Sequence, residues 1–193
     1  SGREIAHLLD FAFAPDGAGR VALRAAPGER WFGLGGKTGA LDRRGRRFTL
    51  RNRDHPVGER VDPLYHSIPF LLRPATSEGE AARADGYLLD GCAPSHFDVA
   101  AQERLRVVAT AQAGGLDVTI FPGPAPGDVL RRYTARTGRI MRPPLWALGH
   151  HQSRWGYRSA RDVRRVEREA RRRRIPTDAI HLDIDYMDAY RVF

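Results

Sequence analysis

The first 130 residues alternate short apolar runs with residues that favour turns. Six runs of four to six residues carry β-branched or aromatic side chains, at 30–34, 47–50, 67–72, 86–90, 105–108 and 116–121. Glycine pairs such as Gly35-Gly36 and Gly114-Gly115 separate them, and these are positions where the chain can reverse direction. Several short strands at this spacing predict a β-sandwich over residues 1–130.

The segment 122–127 reads Pro-Gly-Pro-Ala-Pro-Gly and ends the strand-rich region. Directly after it, Val129 and Tyr133 have helical spacing and precede Gly138, which predicts a short helix. We therefore place a domain boundary at residue 130. Residues 131–193 are expected to form a linker and the start of a second domain.

A charged, amphipathic helix is predicted over residues 159–174. Ser159 is its expected N-cap, and Asp162 stands three residues later, as in a capping box. The apolar positions form one stripe, at Val163, Val166 and Ala170. Arginines crowd the last turn, where positive charge suits the helix dipole, and Pro176 ends the helix.

This helix lies between two predicted strands. Residues 145–152 predict a buried strand, followed by a loop at 153–157. Residues 179–185 alternate strictly, which predicts a strand with two distinct faces. One face carries Ile180, Leu182 and Ile184, and the other carries His181, Asp183 and Asp185. Strand, helix and strand within about 40 residues predict a βαβ unit with parallel strands.

Composition is typical of a globular protein, since 41% of the 193 residues are hydrophobic and 28% are charged. No run approaches the roughly 18 apolar residues of a membrane helix, and the N-terminus lacks the apolar core of a secretory signal. The lone cysteine, Cys92, excludes an intrachain disulfide. We expect a cytoplasmic bacterial protein without a membrane partner. The absence of an initial methionine and the apolar end at Phe193 indicate a chain truncated at both ends.

The net charge of +9 and the pI near 10.6 raise the question of nucleic-acid binding. The sequence, however, has one lysine, Lys37, and 31 arginines. This skew is typical of a GC-rich genome, whereas phosphate-binding proteins normally use lysine too. We interpret the charge as solvated surface and expect no nucleic-acid partner. The alternative, in which residues 159–174 bind DNA, predicts an affinity that falls steeply with salt.

Asp183 and Asp185 are the most informative candidates for chemistry, because both are predicted on one face of a buried strand. Buried carboxylates are costly unless they are paired, and ligand sites open at the carboxyl ends of parallel strands. The pattern favours a binding role, and a structural pairing with arginine stays open as the alternative.

At the equivalent end of the preceding strand, Trp155 and Tyr157 could form a wall for a sugar ring, with Arg154 as its polar partner. Aromatic packing beneath a loop is the alternative there.

Three other motifs have local explanations. His150, His151 and His181 include two adjacent residues, which a strand turns to opposite faces, so we expect no metal site. The glycine-rich residues 33–38 lack the spacing of a phosphate-binding loop, so we expect no nucleotide and no other cofactor. Residues 52–56, Asn-Arg-Asp-His-Pro, by themselves predict a polar turn.

Six motifs follow one another in a specific order. They are Glu-Arg-Trp-Phe-Gly-Leu-Gly at 29–35, Asn-Arg-Asp at 52–54, Asp-Pro-Leu-Tyr-His-Ser-Ile-Pro-Phe at 62–70, Pro-Pro-Leu-Trp-Ala-Leu-Gly at 143–149, Gln-Ser-Arg-Trp-Gly-Tyr at 152–157 and Asp-Ile-Asp-Tyr-Met-Asp at 183–188. Together they resemble glycoside hydrolase family 31, the α-glucosidase and α-xylosidase group.

The resemblance implies a fold that is mostly β plus α/β. A galactose-mutarotase-like β-sandwich is followed by the first βαβ unit of a (β/α)8 barrel, here incomplete. In the family, the first aspartate of the Asp-Ile-Asp-Tyr motif binds hydroxyls of the non-reducing glucose, a role that maps onto Asp183. The tryptophan of the Arg-Trp-Gly-Tyr loop lines the same pocket and maps onto Trp155. The aspartate of the sandwich loop reaches toward substrate and maps onto Asp54.

Two positions depart from the family pattern, since Arg51 replaces a frequent tryptophan and Gly36 a frequent glutamate. Family members are retaining enzymes whose nucleophile and general acid/base stand about 5 Å apart. Both belong to barrel strands beyond Phe193, so we assign no catalytic residue within this chain. The resemblance implies a fragment, inactive alone, of a retaining α-glycosidase that hydrolyses terminal non-reducing α-linked glucose or a related sugar. Its substrate would be an α-linked oligosaccharide or an α-glucoside.

The alternative is a non-catalytic remnant of such an enzyme that binds carbohydrate or a partner chain. An incomplete barrel exposes apolar strand edges. We therefore also expect self-association of the incomplete barrel.

Overall fold

The computed structural model describes residues 8–54, 62–74 and 83–191. The chain divides into two compact units, Ser1–Arg139 and Ile140–Phe193. The N-terminal residues 1–7, residues 55–56 of the predicted polar turn, and Phe193 lie outside the described residues.

The first unit consists of two antiparallel sheets. Its strands are β1 (Leu8–Phe13), β2 (Gly19–Arg24), β3 (Phe32–Gly36), β4 (Arg46–Leu50), β5 (His66–Arg73), β6 (Ala84–Leu89), β7 (Ser95–Val99), β8 (Arg106–Ala111) and β9 (Val118–Gly123). One sheet has the order β1-β2-β8-β7-β4 and the other has the order β3-β5-β6-β9. The predicted β-sandwich is therefore confirmed.

The core of the sandwich forms between the two sheets from alternating side chains. On β8, Val107, Ala109 and Ala111 are buried, while the residues between them are only half-buried, as expected for a strand with one face inward. Trp31 and Leu71 are fully buried in the same cluster.

Three of these strands, β1, β2 and β7, are absent from the sequence prediction. Strand β2 buries three consecutive residues, 21–23, so it shows no alternation. Strand β7 reads Ser-His-Phe-Asp-Val and has only two apolar residues, too few for a recognisable pattern.

Helix α1 (Pro126–Thr137) covers the outer face of the four-stranded sheet. Val129 is fully buried there, and the ring of Tyr133 stacks on Phe70 with centroids 4.1 Å apart. Asp128 caps the first turn by accepting a hydrogen bond from the Ala125 amide at 3.2 Å. Its hydrogen bond from Arg131 lowers the pKa of this carboxyl. The helical spacing read from the sequence is confirmed, and its apolar stripe completes a second cluster.

The second unit contains a βαβ arrangement: β10 (His151–Arg154), α2 (Ala160–Arg172) and β11 (Ala179–Leu182). The two strands pair in parallel, as the sequence predicts. The Ser159 hydroxyl accepts a hydrogen bond from the Asp162 amide at 3.2 Å, which confirms the predicted N-cap. Within the described residues, no helix is long and apolar enough to cross a membrane.

The prediction of one buried strand over residues 145–152 is wrong. Leu145–Leu148 form a 3₁₀ helix, and Leu145 is 87% exposed. Local hydrogen bonds, from Ala147 N to Pro144 O and from Gly149 N to Trp146 O, use backbone groups that a strand would pair with a neighbour. The strand begins only at His151.

The predicted alternation over residues 179–185 also breaks early. Strand β11 ends at Leu182, and the Asp183 carboxylate accepts a hydrogen bond from the Ile184 amide at 2.8 Å. This contact begins a 3₁₀ helix at Ile184–Tyr186, because an aspartate before a helical turn competes with the strand ladder. Asp185 therefore does not share a strand face with Asp183.

Candidate functional site

The carboxyl ends of β10 and β11 bring two predicted site residues to one edge of the second unit. The register pairs Arg154 with Leu182. Trp155 and Asp183 are the first residues after these paired positions. Trp155 is 67% exposed, and Asp183 is exposed as well. A flat aromatic face and a carboxylate thus lie at the edge where ligand sites of parallel sheets form.

Asp183 is held by its own turn. One carboxylate oxygen accepts from the Ile184 amide, and within the described residues the other oxygen has no hydrogen-bond partner. Since a carboxylate can accept several hydrogen bonds, Asp183 keeps most of its capacity for hydroxyl groups.

Asp185 takes the structural role that the sequence left open. Its carboxylate lies 3.3 Å from the Arg158 guanidinium and accepts a hydrogen bond from the Tyr190 hydroxyl at 3.2 Å. The side chain is only 11% exposed. An internal ion pair and hydrogen bond therefore occupy Asp185.

The predicted wall of Trp155 and Tyr157 is only half present. Tyr157 is buried beneath the loop, where its hydroxyl accepts a hydrogen bond from the Gln152 side-chain amide at 3.1 Å. A phenol that is buried and hydrogen-bonded in this way supports the loop. Trp155 alone of the pair offers its ring to solvent, and Arg154 beside it is exposed.

Two of the three histidines, His151 and His181, stack with their ring centroids 5.0 Å apart. Nδ1 of His151 lies 2.9 Å from Nε2 of His181, and Nε2 of His151 lies 3.1 Å from the Trp146 carbonyl oxygen. A carbonyl only accepts, so in the contact with Trp146 it is Nε2 of His151 that donates. His150 instead contacts Thr177. The described residues hold no group of three or more metal-ligating side chains.

Asp54 belongs to the first unit, whereas Trp155 and Asp183 belong to the second. Asp54 is exposed and follows β4. Residues 51–61, between β4 and Asp62, are called the Asp54 segment below. The neighbouring Asn52 anchors this segment, because its side-chain oxygen accepts a hydrogen bond from the Ser67 amide at 2.8 Å. This bond ties Asn52, the first residue of the predicted polar turn, to the start of β5.

The arginines of α2 bear on the nucleic-acid alternative. Several pair with acids of the same helix, namely Arg165 with Asp162, Arg171 with Glu167, and both Arg172 and Arg173 with Glu169. The hydrogen bond from Arg172 lowers the pKa of Glu169. Part of the positive charge is thereby neutralised within the helix.

Lys37 is a residue whose importance the sequence did not reveal. It follows β3, its side chain is only 1% exposed, and it contacts the chain on both sides of the Asp54 segment. The sequence feature that could have singled it out is that Lys37 is the one lysine of a chain with 31 arginines.

Two family models match the chain, one in each unit. The N-terminal galactose mutarotase-like domain of glycosyl hydrolase family 31 matches residues 11–98, and the TIM-barrel domain of that family matches residues 140–193. A mutarotase-like β-sandwich followed in sequence by the start of a TIM barrel defines the class of protein as a family 31 glycosyl hydrolase. The chain belongs to glycoside hydrolase family 31.

Named relatives agree with this membership. Alpha-glucosidase 2 of Bacillus thermoamyloliquefaciens is 40% identical over 169 residues, which are 86% of this chain and 20% of the relative. Lysosomal alpha-glucosidase of Mus musculus is 40% identical over 147 residues, which are 76% of this chain and 15% of the relative. The chain thus spans about a fifth or less of the length of these curated relatives.

A solved structure shows the same architecture. The GH31 dextranase of Flavobacterium johnsoniae, in complex with glucose, has a TM-score of 0.79 and 32% identity, over 92% of this chain and 21% of that one. The predicted fold class, a mutarotase-like sandwich followed by the start of a TIM barrel, is confirmed.

Proposed function

We propose that this chain is part of a retaining α-glycosidase that hydrolyses terminal non-reducing α-linked glucose or a related sugar. Residues 1–130 would be its sandwich domain, and residues 131–193 the linker and the opening of its barrel. The substrate would be an α-linked oligosaccharide or an α-glucoside, consistent with the alpha-glucosidase and dextranase names of its relatives. No metal, cofactor, nucleic acid or membrane enters the proposal.

One observation carries the proposal. Trp155 and Asp183 follow paired residues at the carboxyl ends of two parallel strands, and both are exposed. A tryptophan ring can bury the apolar C–H face of a sugar, while an ionised carboxylate accepts hydrogen bonds from its hydroxyls more strongly than a neutral group does. We also assign sugar binding to Asp54 of the first unit, as the family resemblance implies.

These three residues bind and orient the sugar, and none of them cleaves it. A retaining reaction needs a nucleophile that forms a glycosyl-enzyme bond and an acid that protonates the leaving oxygen. We assign neither role to a residue of this chain. The chain alone should therefore bind the sugar weakly and leave its glycosidic bond intact.

Titration of the 193-residue chain with maltose, followed by NMR chemical shifts, tests this assignment. We expect Asp183→Asn to weaken binding about tenfold or more, because hydrogen bonds to a charged group contribute about 1.5–3 kcal/mol. Trp155→Ala should weaken it as well. Asp117→Asn, at an exposed aspartate of the first unit, is the matched control and should leave the affinity unchanged. Equal affinities for wild type and Asp183→Asn, or release of nitrophenol from an α-glucoside at enzyme-like rates, would contradict the proposal.

A second candidate function, association with a partner chain, is favoured by the apolar surface of the second unit. Its exposed side chains include Ile140, Met141, Leu145, Leu148 and Ile175. Four of these five residues lie within positions 140–148, and such a concentration of exposed apolar groups is characteristic of an interaction surface. The partner would be a further part of a barrel or a second copy of this chain.

A further inference from the structure

Lys37 makes three hydrogen bonds in the first unit. Its ammonium group donates to the Thr49 carbonyl at 2.8 Å, to the Asp62 carboxylate at 3.1 Å and to the Ser67 hydroxyl at 3.2 Å. The side chain is only 1% exposed. An ammonium has three donors, and here all three have protein acceptors, which offsets the cost of removing the charge from water.

These acceptors lie on both sides of the segment that carries Asp54. Thr49 precedes that segment on β4, and Asp62 follows it. Asp62 also binds the chain directly, because its second oxygen accepts from the Thr49 amide. Lys37 and Asp62 thus link Thr49, which precedes the segment, to the residue that follows it, and the bond from Ser67 N to Asn52 adds a further link.

The chemistry of the site explains why a lysine stands here in a chain of arginines. A carbonyl, a carboxylate and a hydroxyl converge on one nitrogen atom. A compact ammonium satisfies three convergent acceptors, whereas a planar guanidinium spreads its donors over a wide fork.

We propose that Lys37 is a positioning residue for sugar binding, acting through Asp54. This inference rests on the proposed function, in which Asp54 contacts the sugar. Lys37 itself does not touch the sugar. It holds the two sides of the segment together and so fixes the place from which Asp54 extends, only two residues beyond the anchored Asn52. Without it, Asp54 would have to be ordered at the moment of binding, which lowers affinity.

A double-mutant cycle on the 193-residue chain tests the proposal, with maltose as the probe and NMR titration as the readout. Lys37→Met and Asp54→Asn should each weaken binding at least about threefold, and the double variant should bind no more weakly than Asp54→Asn. Residues that act through one another give such non-additive effects, while independent sites add. Lys37→Arg should not restore the affinity, because its fork does not match the three acceptors.

Arg44→Met is the control for a purely structural effect. Arg44 also bridges distant parts of the sandwich, at the carbonyl oxygens of Glu29 and Arg104, and among the described residues it has no hydrogen bond to residues 51–54 or to Asp62. The Arg44→Met variant should lower the free energy of unfolding and leave the affinity for maltose unchanged. If Lys37→Met does not fold, Ser67→Ala removes one acceptor of the network, and its smaller loss of affinity should also vanish in the Asp54→Asn background.

The outcomes separate the two proposals. Additive losses from Lys37→Met and Asp54→Asn would overturn the positioning role and leave the proposed sugar site intact. An Asp54→Asn variant that binds maltose as the wild type does would overturn the role of Asp54 in the proposed function, and the positioning role would fall with it.

Discussion

Gly33 and Gly35 bring strand β3 closer to β5 than a side chain would permit. Both have positive φ, +120° and +79°, and the register shifts between them. A Cβ at Gly33 would overlap the Phe70 carbonyl oxygen, and one at Gly35 would overlap the His66 carbonyl oxygen. The glycine-rich motif therefore serves strand packing, consistent with the rejection of a phosphate-binding loop on sequence grounds.

At the residue scale, we predict that Gly35→Ala lowers the free energy of unfolding by about 2 kcal/mol or more. The variant combines an unfavourable backbone conformation, which costs about 1–3 kcal/mol, with a clash against backbone that cannot move freely. Urea denaturation measures the loss. Gly28→Ala is the matched control, because Gly28 has φ +77° but open space around its Cβ position. Equal losses in the two variants would show that the close approach of β3 and β5 is unimportant.

At the scale of elements, a buried charge cluster joins three parts of the sandwich. Arg73 on β5 pairs with Asp85, its register partner on β6, and with Glu29 at 3.3 Å. Its guanidinium also lies 5.8 Å from the Trp31 ring centroid. Burial alone would lower the pKa of Arg73, but Tyr87, Asp85 and Glu29 together outweigh burial and raise it.

Removing the cation should be strongly destabilising. We predict that Arg73→Met lowers the free energy of unfolding by about 3–5 kcal/mol, because it leaves two buried carboxylates uncompensated. Chemical denaturation of the purified chain measures this loss. Arg136→Met removes an exposed pair with Asp90 at 2.9 Å and should cost less than about 1 kcal/mol. A small effect at Arg73 would mean that the two acids are solvated or protonated in the folded protein.

Sequence patterns predict some of the helices and strands correctly and fail for others. The helix α1 and the βαβ unit follow from apolar spacing and a capping serine, which act locally. Residues 145–152 look like one apolar strand, yet Leu145–Leu148 adopt a 3₁₀ turn, because hydrogen bonds within the segment satisfy its backbone. Asp183 ends β11 for the same reason. The spacing of apolar residues alone does not show that local hydrogen bonds will replace strand pairing at these positions.

At the scale of the whole molecule, the two units differ in how well their apolar residues are covered. The described part of the first unit has two buried clusters. In the second unit, Leu145 and Leu148 are largely exposed. Apolar groups that meet water are expected to drive association, since burying them is favourable by about 25 cal/mol per Å².

We predict that the 193-residue chain self-associates as its concentration rises, through the second unit. Leu145→Ser combined with Leu148→Ser should shift the chain toward monomer in sedimentation velocity. Leu41→Ser, at an exposed leucine of the first unit, is the matched control and should not. A wild-type chain that stays monomeric at all accessible concentrations would contradict this prediction.

The sequence by itself determined the fold class, the βαβ unit, the Ser159 cap and the family, because these depend on local periodicity, capping chemistry and the order of motifs. Tertiary structure decided which of several similar residues became buried or paired. Trp155 is exposed while Tyr157 supports the loop, and Asp183 is open while Asp185 pairs with Arg158. It also decided that Lys37 would meet three acceptors distant in sequence. Burial and long-range hydrogen bonds exist only once the chain has folded, so a linear pattern cannot rank such candidates.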